Sequence, residues 1–493
     1  MSRKNHHQFP SLRQRLLAAQ RNSLHSATMH AASHGASTPI FLIDPSIANS
    51  VLSHHELTAI ENDSDSDSDS SSPVHTHIAY NANLQKPTKP TKLLRHALTN
   101  ANGDTWIRQR YCVSRAFVAD KALRASCATY AVEKTMEYIF QANKSTSNWL
   151  WSYFSLRKNS LDVRLLAREI AIHTMSRMVL GTRRGSSDAV NDALREMVSD
   201  SLETRRNEEF SKNTMRKVER LDEEIRKIID DISKNLDNHD LGEDSDSLAR
   251  HLLSYEKKEG TMAETSSKYL TRDEVVGNSH SALLAGVQTI CTTIAGALLH
   301  LAENPQMQHE IKVGNISGKD VVKETLRILP PVAGMPRIPR ECDLALEDHA
   351  SSSTYTHSLC PARVSKDQLM IVDLLAFAHS QPLEQEDNTE GQGSSKNPLA
   401  TLIFDPTRKQ KSNAQPWGIG KRKCPAGIIS VGCIGAVIEA LAKDGITWSF
   451  TDPKLTFMGV NNAKGWMESI SYRPTLSYAS PIFLNFSAKQ EVG

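Results

Sequence analysis

The chain has 493 residues, with 39% hydrophobic and 23% charged residues and a net charge of +2. That composition describes a globular chain able to bury a core. The near-neutral charge and scattered lysines and arginines exclude nucleic acid as a partner class. Seven cysteines, an odd number without C-x-x-C spacing, exclude a disulfide framework.

The N-terminus, MSRKNHHQFPSLRQRLLAAQ, holds no continuous apolar run of signal or membrane-span length. It points to a cytoplasmic or peripheral protein. Residues 1–37 are polar and rich in His, Ser and Ala, the composition of a disordered or weakly helical segment. TPIFLIDP (38–45) reads as a strand stopped by Asp44-Pro45, and SIANSVLSHHEL after it has a helical pattern. Residues 61–75 form a polar insertion, opened by the acidic ENDSDSDSDSSS tract, which buries nothing and is expected as a solvated loop.

NGDTWIRQRYCVSRAF places Trp106 and Arg110 four residues apart, on one face of a helix. Residues 120–260 alternate helical patterns with charged faces. In MRKVERLDEEIRKIIDDISKNL, Val218, Leu221, Ile225, Ile228 and Ile232 recur at helical spacing. HSALLAGVQTICTTIAGALLHLAENP (280–305) predicts a long apolar helix ending near Asn304-Pro305. Gly286 and the hydroxyl of Thr289 are residues able to loosen a helical ladder.

KETLRILPPVAGMPRI sets Glu324 and Arg327 one turn apart, with Pro330-Pro331 ending the helix. VSKDQLMIVDLLAFA predicts a turn, a strand and a short helix. The insertion 381–398 is polar, rich in Gln and Glu, and is expected to be flexible. ITWSF, KLTFMGV and SYRPTLSYASPIFLNFSAK predict short strands, followed by a tail at 486–493.

The chemistry concentrates in PWGIGKRKCPAG, residues 416–427, ahead of an apolar helical stretch. Gly418 and Gly420 let the loop bend tightly. A thiol beside Lys421, Arg422 and Lys423 and before a helix is biased toward thiolate, a strong iron ligand. The same cysteine also fits a buried structural role in a basic turn. With an aromatic seven residues before Cys424, Gly420 four before and Arg422 two before, the stretch resembles the haem-binding signature of the cytochrome P450 family, F-x-x-G-x-R-x-C-x-G. Trp417 replaces its phenylalanine and Ala426 its last glycine.

The other motifs follow in that family's order. Trp106 and Arg110 resemble its W-x-x-x-R, which reaches a haem propionate. Ala285 to Ile290 resemble the A/G-G-x-D/E-T-T of its central I helix. Glu324 and Arg327 resemble its E-x-x-R, and FDPTR (404–408) its P-E-R segment. Arg408 is then the partner of the E-x-x-R pair, and Thr407 stands where the family has an acid.

The resemblance implies a mainly α fold with small β regions, haem lying between the I helix and the cysteine loop with its following helix, in one domain over 38–485. It implies that Cys424 ligates the iron of haem b, and that Trp106, Arg110, Arg337, Trp417 and Arg422 bind the cofactor. Thr289 assists dioxygen activation, and Gln288 takes a site where the family has an acid. An amide donates and accepts hydrogen bonds but does not ionise, so proton delivery then runs through water and Thr289.

The implied function is a monooxygenase placing one oxygen atom from O2 into a small lipophilic substrate, with electrons from NADPH through a flavoprotein reductase. Lys409, Lys411, Lys421 and Lys423 would offer that partner a basic face. The style of the sequence resembles fungal secondary-metabolism members, and a hairpin near Trp466 and Met467 would reach the substrate. Eukaryotic members carry an N-terminal membrane helix that this sequence lacks, so a cytoplasmic location or a peripheral one at the endoplasmic reticulum is expected, with membrane contact left open. Gln288 also suits a haem-thiolate isomerase, dehydratase or peroxide-using enzyme, and the departures together suit a non-catalytic haem-binding relative.

Overall fold

The protein is described from a computed structural model. It describes residues 28–29, 40–42, 57–60, 76–79, 96–118, 121–144, 160–181, 188–203, 212–235, 247–256, 269–338, 343–346, 362–364, 367–368, 370–379, 402–408, 414–457, 465–472 and 475–488. The acidic tract and the 381–398 insertion lie outside them, as does the SIANSVLSHHEL pattern except for its last residue, Leu57. The chain divides into two compact units that exchange segments.

One unit gathers Met1–Pro87, Val332–Ile403 and Arg408–Cys424. Its first sheet runs Thr28–Met29, Ile40–Leu42, Met370–Asp373, Gly334–Arg337, with Ile40–Leu42 parallel to Met370–Asp373 and the other pairs antiparallel. The Ile40–Leu42 and Met370–Asp373 strands are as expected from their apolar runs. Thr28–Met29, the described part of residues 1–37, pairs with Phe41 and Leu42. Arg337 stands opposite Met370. A second, antiparallel sheet runs Thr76–Ala79, Leu57–Ile60, Asp343–Leu346, Ala362–Val364. Asp373 accepts from the Leu375 amide at 3.1 Å and so starts the short helix Leu374–His379.

The other unit holds Thr88–Pro331, Phe404–Thr407 and Pro425–Gly493 and is mainly helical. Its axis is the helix Arg272–Glu303, starting eight residues before the apolar run that predicts it. Thr271 and Glu274 form a reciprocal capping box that fixes that start. The helix packs along Val163–Leu180, where Leu166, Ile170 and Met178 are buried, as are Val287, Ile290 and Ile294. Among the described residues it is the one helix long and apolar enough to cross a membrane, and most of its apolar window is buried inside the protein.

In the helix Lys212–Lys234 the expected face is present: Val218, Leu221, Ile225 and Ile228 are buried and Ile232 is half-buried. Helix Gly427–Lys443 packs on Lys121–Lys144 and on Gly318–Ile328. Strand Ile446–Phe450 buries Ile446, Trp448 and Phe450 while Thr447 and Ser449 stay exposed, the period of a sheet with one wet face. It pairs with Phe483–Ala488, which also pairs with Ser160–Asp162.

Two expectations fail in this unit. Lys454 to Phe457 are irregular rather than a strand, because the Phe457 amide donates to the Glu303 carboxylate at 2.9 Å. Trp466 and Met467 are core residues, not pocket lining: Trp466 packs against His300 and Phe457, with its indole N–H on Glu303.

Candidate active site

The cysteine loop is built by its glycines and closed by its own backbone. Gly418 donates to the Gln415 carbonyl at 2.8 Å with φ of 75°, and Gly420 has φ of 68°. Both values lie in the left-handed region that side chains disfavour. Residues 420–422 make a 3-10 turn, and the Cys424 amide returns to the Trp417 carbonyl at 2.8 Å. The aromatic seven residues before the cysteine is therefore bonded to it through the backbone. A side chain at Gly418 would sit 2.8 Å from the Met335 methyl group, so the loop lies directly on the Gly334–Arg337 strand.

Of the described cysteines, Cys112, Cys127 and Cys433 are buried, Cys291 is half-exposed and Cys424 is exposed. Burial pushes Cys112 up to about 11 and Cys291 to about 12. Those thiols stay protonated and are poor ligands. Cys424 is the exposed one among the described thiols, and it sits in a loop closed by its own backbone hydrogen bond to Trp417.

Met335 and Arg337, two apart on one strand, project from the same face. Arg337 is 2% exposed. One N–H donates to its neighbour's carbonyl, Pro336, at 2.8 Å, while its Nε and other terminal nitrogen are buried with no partner. Burial, reinforced by the like charge of Arg422, holds the guanidinium down to about 10. A buried guanidinium with donors left over and a second one drawn close form a receptor for a strong anion, since Arg binds carboxylates through paired N–H groups. These residues fit the propionates of a haem, and Cys424 fits its iron.

In the other unit, Trp106 and Arg110 lie on the helix Gly103–Val118 and are half-buried. Gln288 and Thr289 lie on the long helix. Its middle is locally open, with Ala285 exposed and Gly286, Gln288 and Thr289 half-buried, although Val287 and Ile290 are buried. The Thr289 hydroxyl donates to the Ala285 carbonyl at 2.9 Å, with that of Gly286 at 3.3 Å. The expected loosening of the ladder is not seen, because the helix runs unbroken from Arg272 to Glu303. Gly286 serves packing instead, since a side chain there would collide with Met175.

Glu324 and Arg327 form a buried bidentate pair at 2.7 and 2.8 Å. The FDPTR segment reaches it through the Asp405 amide, 2.9 Å from Glu324. Arg408, the expected partner, donates to the Ile403 carbonyl at 3.1 Å. Thr407 is not an idle replacement: its amide and hydroxyl both donate to Asp405, shaping the turn that presents that amide.

Sequence reasoning missed Glu274, whose carboxylate accepts from Arg108 at 2.6 and 2.7 Å, from Gln109 at 2.9 Å and from the Thr271 amide at 2.9 Å. The T-R-D-E spacing was its local signal. It also missed His300, stacked on Phe404 with centroids 4.4 Å apart, its Nε2 buried without a partner.

The long central helix, the buried E-x-x-R pair and the exposed cysteine in a closed loop are the features on which the resemblance to haem-thiolate proteins rests. The family model for cytochrome P450 matches residues 74–313, just under half of the chain. Among curated proteins, it is 28% identical over 169 residues to mouse mitochondrial 25-hydroxyvitamin D-1 alpha hydroxylase, 30% of this chain and 29% of that one. It is 28% identical over 174 residues to rat mitochondrial sterol 26-hydroxylase, 31% and 30% of the two chains. The matched stretch thus spans less than a third of these relatives' length. Among solved structures, a zebrafish cytochrome P450 with progesterone aligns over 98% of this chain and 100% of that one, with TM-score 0.67 and 14% identity. P450 OxyD, involved in the biosynthesis of vancomycin-type antibiotics, aligns over 97% of each chain with TM-score 0.62 and 14% identity. At that identity the likeness establishes the fold.

Proposed function

We propose that the protein is a haem-thiolate monooxygenase that inserts one oxygen atom from O2 into a lipophilic small molecule. The observation that carries the reading is an exposed cysteine in a closed loop together with a buried arginine that keeps Nε and one terminal nitrogen without acceptors. Cys424 is the iron ligand, and Arg337, Arg422, Arg110 and Trp106 hold the propionates, with Trp417 fixing the cysteine amide. Bound haem would supply the redox and dioxygen chemistry, its thiolate favouring O–O cleavage.

The chain's own part is positioning and proton handling. Thr289 Oγ1 carries one proton, directed at the Ala285 carbonyl, and two lone pairs open to a water. Gln288 cannot ionise, so it orients rather than supplies protons. The buried neighbours Val287 and Ile290 keep the rest of that stretch dry.

Electrons are proposed to come from NADPH through a flavoprotein reductase drawn to Lys421 and Lys423. The substrate is proposed to be a secondary-metabolism intermediate. The sterol and vitamin D hydroxylase names of the relatives support an apolar one, and their mitochondrial placement sets a compartment to test by fractionation beside the cytoplasm and the endoplasmic reticulum surface. Purified protein with reductase, NADPH and a panel of sterols and other apolar compounds should consume NADPH and O2 together in a substrate-dependent way. A second reading, a haem-thiolate isomerase, dehydratase or peroxide-using enzyme, rests on Gln288. Turnover without NADPH would select it.

A further inference from the structure

The helix that carries Trp106 and Arg110 is two-sided. At about 100° per residue those two side chains lie about 40° apart, and Arg108 points about 200° away from Trp106. Arg108 grips Glu274 with both terminal nitrogens, donates also to the Tyr269 carbonyl at 2.7 Å, and lies 4.8 Å over the Tyr269 ring. Gln109 adds a bond to Glu274 and takes one from Asn278 at 3.2 Å. Asn278 in turn accepts from the Leu98 amide at 2.8 Å and donates to the Glu274 carbonyl. One buried carboxylate therefore ties the Trp106 helix, the turn before it and the first turns of the long helix into a single hydrogen-bonded unit.

Nothing in the chemistry of a capping box requires the second half of this network, since Thr271 and Glu274 satisfy each other alone. Burial tends to raise the Glu274 carboxyl, but its bonds from Arg108, Thr271 and Gln109 hold it below the ordinary range. The clamp is thus a charged one. A bidentate fork also fixes rotation, which a single bond does not.

We propose that Glu274, through Arg108 and Gln109, is a positioning residue that sets the rotation of the Gly103–Val118 helix so that Trp106 and Arg110 meet the haem propionates. The assignment rests on the haem-binding reading above.

The test is a double-mutant cycle read as the rate of haem loss from the holoprotein to an apomyoglobin scavenger. Glu274→Gln keeps the shape but turns an N–H toward donors. Arg108→Lys keeps the charge but loses the fork, and serves if Glu274→Gln folds poorly. Each should speed haem loss about tenfold, the effect of removing support behind a cofactor-binding group. In an Arg110→Ala, Trp106→Phe background the same substitutions should add almost nothing, because they act through those side chains. An equal acceleration in both backgrounds, or none in either, overturns the positioning role while leaving the haem reading intact. Wild-type protein that takes up no haem overturns that reading and the clamp with it.

Discussion

Arg327 and Arg337 are both buried arginines, 4% and 2% exposed, and the chain treats them in opposite ways. Arg327 meets a carboxylate one turn away, in a fork that the Asp405 amide completes. Arg337 has one bond, to its own neighbour's carbonyl, and a second guanidinium close enough to depress it. The first arrangement is finished within the protein and reads as architecture. The second is built to be finished by an anion, and reads as binding. Burial alone would not separate them, because it is nearly the same. What separates them is whether each N–H has an acceptor.

Breaking the finished pair should cost most. Glu324→Ala leaves Arg327 buried and unpaired, and should destabilise the fold by about 3–5 kcal/mol in chemical unfolding. A loss below about 1 kcal/mol would show that the pair is not the closed unit described here.

His300 sharpens the contrast from another side, since it too has a buried unpartnered nitrogen but sits among Phe404, Phe457 and Trp466. Burial, aided by the Arg327 charge, pushes it down to about 3 from an ordinary 6.5. The folded ring stays neutral while the unfolded ring takes a proton below about 6.5, so stability from this group falls as pH drops from there toward 3. The cost should reach roughly 3 kcal/mol at pH 4. In His300→Phe that part of the acid slope should vanish, as measured by urea midpoints between pH 7 and 4; an unchanged slope would count against it.

Arg337→Met gives the smallest effect and the sharpest contrast. The haem-free protein should keep or raise its thermal midpoint, because an unpaired buried charge is removed, while haem loss accelerates about tenfold. A fall in the haem-free midpoint with unchanged haem loss would make Arg337 architecture after all.

Much of this was legible in sequence where partners lie close together. The cysteine loop, Trp106 with Arg110, and Glu324 with Arg327 are local spacings, and the structure sets each on the expected element. Relations across the chain were not legible. Arg108 and Glu274 stand 166 residues apart, although the capping box at Glu274 could have been read locally. Gly286 looked like a weak point in a helix and is a packing contact with Met175, because a missing side chain carries no mark of what fills its place. Trp466 looked like a pocket residue, and only the tertiary fold shows His300, Phe457 and Glu303 around it.

The most direct test of the central claim is the difference spectrum of the dithionite-reduced, carbon monoxide-bound protein beside that of Cys424→Ala. The account predicts a red-shifted, thiolate-type Soret band in the wild type and its disappearance in the variant. Haem-loaded wild type without that band, or a variant that keeps it, would contradict Cys424 as the ligand.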